Sequence, residues 1–374
     1  MIVPPRSPMR AIIGLPAADL GDALRQLNEP AYRADQILAW IYQRGAANWG
    51  AMTDLSLSLR ARLAADFTIA PLRPVSAQQT DGGQTRKMLF ALPEIPEGAG
   101  TTGRAPRLAH LSTVEAVSMI YPHRHTVCIS SQVGCAMGCV FCATGQVGFV
   151  RDLTAGEIVA QVLAFAGGGE REQRRQPPNR VVLMGQGEPM ANYDAVWSAI
   201  QILTDRRYYG LGARHITVST VGIVPGIKRL AREPLPVNLA VSLHATDDAL
   251  RSSLVPSNRR YPIADILGAC RSYVQQTRRR VSFEYTAIAG VNDSLAEMRA
   301  LASLLRGILA HVNLIPVNPS LDGRWRPPPG IHIQAMATAL NDFGVPATVR
   351  DTRGRQIAAA CGQLRARAVA GATP

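Results

Sequence analysis

The amino-acid sequence predicts an α/β protein: a partial (βα)6-type barrel with a small N-terminal helical domain. Two observations lead to this fold class. From about residue 125, seven apolar runs have the length and composition of buried strands. The segments between them show the periodicity of amphipathic helices. Six or so parallel βα units favour a barrel or partial barrel, and an open doubly wound sheet is the alternative.

The first 70 residues read as a small helical accessory domain. The stretch PAYRADQILAWIYQRG places Ile37, Leu38 and Ile41 on one broad apolar face and ends at Gly45. A second short amphipathic segment, LSLSLRARLAADF, follows it. Residues 71–124 read as a linker with two short strands, RKMLFAL and VEAVSMIY, separated by the Pro/Gly-rich loop PEIPEGAGTTGRAPR.

Residues 125–374 hold the barrel. Its strand candidates are TVCIS, RVVLMG, HITVST, VNLAVSL, VSFEYT, VNLIPVN and PATVRD. One intervening helix begins with a capping box formed by Thr154 and Glu157. Another helix carries Ile263, Ile266 and Leu267 on one face. The segments GGGEREQRRQPPNR and DGRWRPPPG read as loops.

The chain is strongly basic, with 40 Lys and Arg residues against 27 Asp and Glu, a net charge of +13 and a pI near 10.1. Almost all of the positive charge is arginine. This surplus favours a polyanionic partner such as nucleic acid, although a GC-rich genome would also enrich arginine. The sequence shows neither a signal peptide nor an apolar run of membrane-spanning length, so we expect a cytoplasmic protein without membrane association.

The motif CAMGCVFC contains three of the six cysteines, Cys135, Cys139 and Cys142. Cytoplasmic thiols stay reduced, so clustered cysteines indicate metal or redox chemistry. A structural zinc site normally has four protein ligands, and a second cysteine pair is missing from the sequence. Three thiolates suit three irons of a [4Fe–4S] cluster, whose fourth iron stays open to an exogenous ligand.

Polar residues follow several of the predicted strands at their carboxyl ends, where a parallel barrel binds its ligand. In LMGQGEP, Gly187 and Glu188 could meet the amino group of an amino-acid-like ligand. Equally, this segment could be a tight βα turn. The other candidates, each of which could be an ordinary turn or cap residue, are Ser219, Ser242, Leu243, His244 and Asn318.

Four further residues have no role that local context defines. Cys128 lies in a predicted strand, Cys361 lies near the C-terminus, and Glu115 lies in VEAVSMIY. All three read locally as ordinary core or strand residues. Cys270 falls on the apolar face of its helix and reads as an inert core thiol.

Taken together, these motifs resemble the RlmN family of bacterial radical S-adenosylmethionine (SAM) enzymes, which methylate C2 of adenine in RNA. The resemblance covers nearly the whole chain. The segments that carry it are CISSQVGCAMGCVFCATGQVGFVRDLTAGEIVAQV, RVVLMGQGEPMANYD, AVSLHATDDALRSSLVPSNRRYP, FEYTAIAGVND and RDTRGRQIAAACGQL.

The resemblance implies a radical SAM barrel and a role for each site residue. Cys135, Cys139 and Cys142 would bind the [4Fe–4S] cluster. The residues that would line the SAM pocket are Gly187, Glu188, Ser219, Ser242, Leu243, His244 and Asn318. Cys361 would carry the methyl group as S-methylcysteine, and Glu115 would accept the C2 proton. Cys128 would resolve the covalent protein–RNA adduct through a transient disulfide with Cys361.

The same resemblance implies two SAM molecules per turnover, an electron donor for the cluster and a thiol reductant for the disulfide. It implies an adenosine of 23S rRNA near the peptidyl-transferase centre as substrate, and in tRNA the adenosine 3′ of the anticodon. We expect a monomer, and we expect the helical domain of residues 1–70 to bind RNA. Two alternatives remain at this point: a related enzyme that methylates C8 of adenine and confers antibiotic resistance, and a non-catalytic Fe–S or zinc RNA-binding protein.

Overall fold

The computed structural model describes residues 10–93, 113–166, 176–318, 324–351 and 353–364. Two loops predicted from the sequence therefore lie largely outside the described residues: PEIPEGAGTTGRAPR (93–107) and GGGEREQRRQPPNR (167–180). The strands are β1 (Arg10–Ala11), β2 (Phe67–Thr68), β3 (Arg73–Thr80), β4 (Thr85–Ala91), β5 (Thr113–Tyr121), β6 (Arg124–Cys128), β7 (Gln132–Gly134), β8 (Phe149–Asp152), β9 (Arg180–Leu183), β10 (Ile216–Thr220), β11 (Asn238–Ser242), β12 (Val281–Ala287), β13 (Ala310–Pro316) and β14 (Ala347–Val349).

The helices are α1 (Ala17–Gln26), α2 (Arg33–Leu38), α3 (Leu57–Asp66), α4 (Ala143–Val147), α5 (Ala155–Ala166), α6 (Tyr193–Thr204), α7 (Val224–Leu230), α8 (Asp248–Leu254), α9 (Ile263–Thr277), α10 (Leu295–Leu305) and α11 (Gly330–Asp342). Each of the seven predicted barrel strands is present. The predicted capping box of α5 is also confirmed: the Glu157 N–H donates to Thr154 Oγ1 at 3.2 Å, and the Thr154 N–H donates to Glu157 Oε2 at 2.9 Å.

One ten-stranded sheet organises the molecule, in the order β14-β13-β12-β11-β10-β9-β6-β5-β4-β3. Seven strands pair in parallel, each with the next in the order β6-β9-β10-β11-β12-β13-β14. Their order never reverses, so the sheet lacks the switch point of a doubly wound fold. Right-handed crossovers then place the helices on one face. Within the described residues β14 does not pair with β6, and the predicted partial barrel is confirmed.

Strands β3, β4 and β5 extend the sheet beyond β6 by antiparallel pairing. Their register matters for function, because it decides which side chains share a face with the barrel strands. Val117 on β5 lies opposite both Lys87 on β4 and Cys128 on β6. These three side chains therefore form a row across one face of the sheet.

The N-terminal helices pack on the barrel through α5 and the loop that precedes β10. Gly14 and Gly156 are so close that a Cβ on Gly14 would lie 2.5 Å from the Gly156 backbone. Tyr42 accepts a hydrogen bond from the Gly14 N–H and meets Tyr208 edge-on, with ring centroids 5.0 Å apart. The division of the chain at residues 70 and 124 stays a prediction. None of the described helices has the length and apolarity to span a membrane.

Candidate active site

A cleft opens at the carboxyl ends of the parallel strands, where the barrel was expected to bind its ligand. Its lining comes from the loops that follow β7, β9, β10, β11, β13 and β14 and from the C-terminal segment 353–364. Ten of the thirteen predicted site residues line this cleft: Cys135, Cys139, Cys142, Gly187, Glu188, Ser219, Ser242, His244, Asn318 and Cys361. Leu243, Cys128 and Glu115 lie outside its lining.

The cysteine loop connects β7 to α4. Gly134, which precedes Cys135, has φ +72°, and a Cβ there would lie 1.8 Å from the Gly148 carbonyl oxygen. The Cys135 N–H donates to that same oxygen at 2.9 Å. Glycine at this position therefore lets the loop close against β8. Burial raises the pKa of the Cys135 thiol to about 12 and the pKa of the Cys139 thiol well above its usual value.

These thiols ionise at neutral pH only beside a strong positive charge, which bound iron would supply. Within the described residues, no group of three or more His, Cys, Asp or Glu side chains is placed to hold a single metal ion. A [4Fe–4S] cluster does not require such a meeting point, since each thiolate binds a different iron. Three thiols of one loop facing one cleft fit the cluster, and the zinc alternative gains no support.

The glycines of LMGQGEP line the cleft and also have a packing role. A Cβ on Gly187, whose φ is +97°, would lie 2.6 Å from Gln132 Cβ, and a Cβ on Gly185 would lie 2.6 Å from Ser130 Oγ. Both glycines thus let the loop after β9 pack against the chain that enters β7. Their approach to a ligand stays a prediction.

Replacing Gly187 with alanine is expected to destabilise the protein by roughly 3 kcal/mol, because backbone strain and steric overlap add. Gly307→Ala is the matched control: Gly307 has φ +77° with nothing within 4 Å of its would-be Cβ, so it should cost only about 1 kcal/mol. Urea denaturation measures both. Equal losses for the two variants would show that overlap with Gln132 has no effect.

Glu188 fastens the cleft wall. Its carboxylate accepts hydrogen bonds from the Met190 N–H at 3.0 Å and the Val221 N–H at 2.8 Å, and so links the loops after β9 and β10. Its own N–H donates to Gln132 Oε1 at 2.8 Å. Burial raises the pKa of Glu188 to about 7. A cationic amine in the cleft would therefore favour the ionised carboxylate.

His244 is buried and has φ +63°. Its Nδ1 accepts a hydrogen bond from the Thr286 N–H at 3.0 Å, and its ring meets Phe141 edge-on at 4.9 Å. Burial lowers the pKa of His244 to about 3, so its ring is neutral at physiological pH. With Nδ1 occupied in this way, His244 contributes shape and a neutral polar edge to the cleft.

Leu243 is fully buried, and its backbone is already committed. Its N–H donates to the Glu284 carbonyl at 3.0 Å, and its carbonyl accepts from Arg251 Nε at 2.9 Å. Arg251 itself is fully buried and also donates to the carbonyls of Val221 and Ser242. This guanidinium holds the ends of β10 and β11 in place. The sequence pattern did not indicate it, because a lone arginine in a short helix reads as a surface residue.

A second, smaller cavity adjoins the cleft and is lined by the other two thiols predicted to act. Cys128 and Cys361 both line it, together with Met184 and Arg350, and both cysteines are free thiols. Cys361, Met184 and Arg350 also line the main cleft. Burial raises the pKa of Cys128 to about 12, and the Arg350 guanidinium opposes this rise.

The C-terminal segment reaches this position through hydrogen bonds to the barrel mouth. Asn318 Nδ2 donates to the Cys361 carbonyl at 2.9 Å, and the Ala143 N–H donates to the Gly362 carbonyl at 2.8 Å. Thr144 Oγ1 donates to the Leu364 carbonyl at 2.7 Å. Cys361 is thereby tied to α4, the helix that follows the cysteine loop.

Glu115 lies on the same sheet face as Cys128, two residues before Val117 on β5. It is buried, and its Oε1 is 3.1 Å from Lys87 Nζ. Lys87 Nζ also lies 3.4 Å from the Ala358 carbonyl of the C-terminal segment. Glu115 and Cys128 therefore both lie beneath the C-terminal segment 353–364, which carries Cys361. Lys87 was not among the residues selected from the sequence.

Cys270 is fully buried on α9, within the main hydrophobic core. We expect Cys270→Ser to retain activity and to lose about 1–3 kcal/mol of stability, because a hydroxyl replaces an apolar thiol in the core. Turnover assays and thermal unfolding of the purified variant measure the two effects. A well-folded variant without activity would contradict this interpretation of Cys270 as a core residue.

The fold and the three-cysteine cleft define a radical SAM protein. Residues 129–302 match the family model of the Radical SAM superfamily. Residues 11–69 match the model of the ribosomal RNA large subunit methyltransferase N-terminal domain. Proteins of this class use a [4Fe–4S] cluster and SAM, and the cleft contains residues suited to both.

Relatives narrow the class to one family. A protein of Chloroflexus aurantiacus, named "Probable dual-specificity RNA methyltransferase RlmN", is 48% identical, covering 94% of this chain and 91% of its own. A protein of Moorella thermoacetica with the same name is 44% identical, covering 94% and 96%. A radical SAM methyltransferase structure from Sphaerobacter thermophilus has 50% identity and a TM-score of 0.87, covering 96% and 100%. The chain belongs to the RlmN family.

Proposed function

We propose that this protein is a radical SAM methyltransferase that adds a methyl group to C2 of an adenosine in RNA. Its substrates are the 23S rRNA adenosine near the peptidyl-transferase centre and, in some tRNAs, the adenosine 3′ of the anticodon. The observation that carries this proposal is the placement of Cys361, whose cavity with Cys128 opens into the cysteine-lined cleft. A thiol that carries a methyl group must lie close both to the cleft that would hold SAM and to the thiol that releases the product.

When bound, the cluster and SAM supply a 5′-deoxyadenosyl radical, which can remove hydrogen from an unactivated methyl group. Cys135, Cys139 and Cys142 would hold the cluster. Gly187, Glu188, Ser219, Ser242, Leu243, His244 and Asn318 would form the SAM pocket. Leu243 does not itself line the cleft. Its backbone hydrogen bonds to Glu284 and Arg251 fix the positions of Ser242 and His244, which do.

Cys361 accepts a methyl group from SAM, because a thiolate is a good nucleophile and C2 of adenine is not. With the cluster and SAM bound, the Cys361 methyl group would lose a hydrogen atom and its carbon would form a bond to C2. Glu115 accepts the proton that leaves C2, and the one unpaired electron left on the adduct would return to the bound cluster. Cys128 attacks the Cys361 sulfur: the S–S bond forms, and the C–S bond breaks with its electron pair moving to carbon. With a proton, that carbon becomes the new methyl group, and an external thiol reduces the disulfide.

Charge and surface features support RNA as the substrate. The net charge is +13, and Trp325, from the arginine-containing loop DGRWRPPPG, donates to the Val140 carbonyl within the cysteine loop. The segment QTRRR is less suitable, since it precedes β12 at the amino ends of the strands, opposite the cleft. We further propose a cytoplasmic monomer that depends on an electron donor and a thiol reductant.

Methyl transfer from methyl-labelled SAM under anaerobic, reducing conditions tests this proposal. We expect label in a 23S rRNA fragment that contains the target adenosine and in tRNA, and none in the same RNAs with that adenosine changed to guanosine. Label in neither RNA would contradict the proposal. Iron and sulfide analysis of anaerobically purified protein tests the non-catalytic alternative, because zinc without sulfide would contradict the cluster.

A further inference from the structure

Lys87 is one of only two lysines in a chain whose other 38 basic residues are arginines. The second, Lys228, is an exposed residue of α7. The Lys87 side chain is 11% exposed, on a strand of the antiparallel extension. A buried ammonium is costly unless it is paired and hydrogen-bonded, so its position calls for an explanation.

The Lys87 ammonium bridges two elements. It is 3.1 Å from Glu115 Oε1 on β5 and 3.4 Å from the carbonyl oxygen of Ala358 in the C-terminal segment. Ala358 precedes Cys361 by three residues and has φ +48°, a left-handed conformation that alanine rarely adopts. Such a conformation persists only where surrounding contacts hold it, and the bond from Lys87 is one of those contacts.

The sheet register places this bridge beside both thiols. Lys87, Val117 and Cys128 form the row across β4, β5 and β6, and Glu115 lies on the same face. Val117 and Cys128 pack against Leu364 and Ala359 of the C-terminal segment. One small region thus contains a carboxylate, its cation and the backbone that carries Cys361.

We propose that Lys87 is a positioning residue for methyl transfer, which holds Glu115 as a carboxylate and fixes the Cys361 segment above it. This inference rests on the proposed role of Glu115 as proton acceptor. Removing the ammonium from beside a buried carboxylate raises the pKa of that carboxylate, and a protonated Glu115 cannot accept a second proton. Among the described residues, the titratable groups on this side of the sheet are Lys87 from β4, Cys128 from β6, Cys361 from the C-terminal segment and Arg350 beyond the thiols.

Lys87→Met keeps the length of the side chain and removes its charge. We expect it to form methylated adenosine roughly 100-fold more slowly at neutral pH, the loss typical of a missing general base. Its rate should recover as the pH rises and Glu115 ionises again. Lys87→Arg keeps a positive charge at this position. It should methylate RNA at most of the wild-type rate, and that rate should not depend on pH over the same range. Lys228→Met, the other lysine, is the matched control and should behave as wild type.

A second readout does not depend on turnover. Infrared titration of the metal-free protein should show one more protonated carboxyl at neutral pH in Lys87→Met than in wild type or in the double variant Lys87→Met/Glu115→Gln, beyond the Glu188 signal that all three share. If wild type fails to methylate RNA, the proposed function is wrong, and this titration still decides the role of Lys87.

A double-mutant comparison covers the case in which Lys87→Met does not fold. The double variant Lys87→Met/Glu115→Gln removes both members of the Lys87–Glu115 ion pair, so it should fold and should methylate RNA at the same rate as Glu115→Gln alone. A further large loss in the double variant would overturn the proposal. A loss of methylation rate in Lys87→Met that does not change with pH, and that comes with no additional protonated carboxyl, would also overturn the proposal. Either result would mean that Lys87 only stabilises the fold.

Discussion

Replacing Cys361 with alanine is expected to abolish RNA methylation completely. The variant has no thiol to accept a methyl group from SAM, and adenine C2 cannot take one directly. Stability should change little, because the segment is held by its own backbone: the Cys361 carbonyl accepts from the Asn318 side-chain amide, and the Gly362 carbonyl accepts from the Ala143 N–H. Mass spectrometry of the tryptic peptide and of the RNA nucleosides measures the loss of methylation, and thermal unfolding measures the stability.

Two results give the Cys361→Ala experiment its controls. Wild-type protein should show a mass increase of one methyl group on the Cys361 peptide, and Cys270→Ser should show the same increase. Methylated RNA from Cys361→Ala at a rate near that of wild type would contradict the covalent-carrier role and leave the thiol without a function.

Replacing Cys128 with alanine is expected to trap RNA on the protein. The methyl carbon can still form its bond to C2, but no thiol remains in the cavity to attack the Cys361 sulfur. Turnover should therefore stop after at most one RNA per protein molecule. A protein–RNA band that survives denaturing electrophoresis, and disappears after ribonuclease treatment, measures the adduct.

The double variant Cys128→Ala/Cys361→Ala is the control for that band, since it should form no adduct. Free, fully methylated RNA released from Cys128→Ala over many turnovers would contradict the resolving role. Because Cys128 is buried and its pKa is raised to about 12, we also expect wild-type release of product to accelerate with rising pH.

The barrel could be predicted from the sequence because parallel βα units leave a local pattern. Each apolar strand is followed by a helix, and signals such as the Thr154–Glu157 capping box act over a few residues. The cysteine spacing is local in the same way. Polar residues at strand ends could be assigned to one cleft because all parallel strands point the same way.

The region beneath the C-terminal segment could not be predicted from these patterns. The row of Lys87, Val117 and Cys128 depends on the register of antiparallel strands, and a slip of one residue would turn each side chain to the other face. Cys361 reaches the row only through long-range bonds from Asn318 and α4. Roles for Glu115, Cys128 and Cys361 came from resemblance to the RlmN family, and Lys87 emerged only from the coordinates.

Arg251 shows a similar limit. Its helix, α8, is short and begins with two aspartates, Asp247 as the N-cap and Asp248 as the first residue, so the sequence resembles an exposed turn of helix. Its burial follows from carbonyls at the ends of β10 and β11 that need a donor, and these meet only in the folded barrel.

The central claim is that this chain methylates adenosine at C2 by means of its two thiols. The most direct test is mass spectrometry of nucleosides from 23S RNA incubated anaerobically with the protein, SAM and a reductant. We expect 2-methyladenosine in the RNA incubated with wild-type protein and none in the RNA incubated with Cys361→Ala. A product of 8-methyladenosine, or 5′-deoxyadenosine formed without any methylated adenosine, would contradict it.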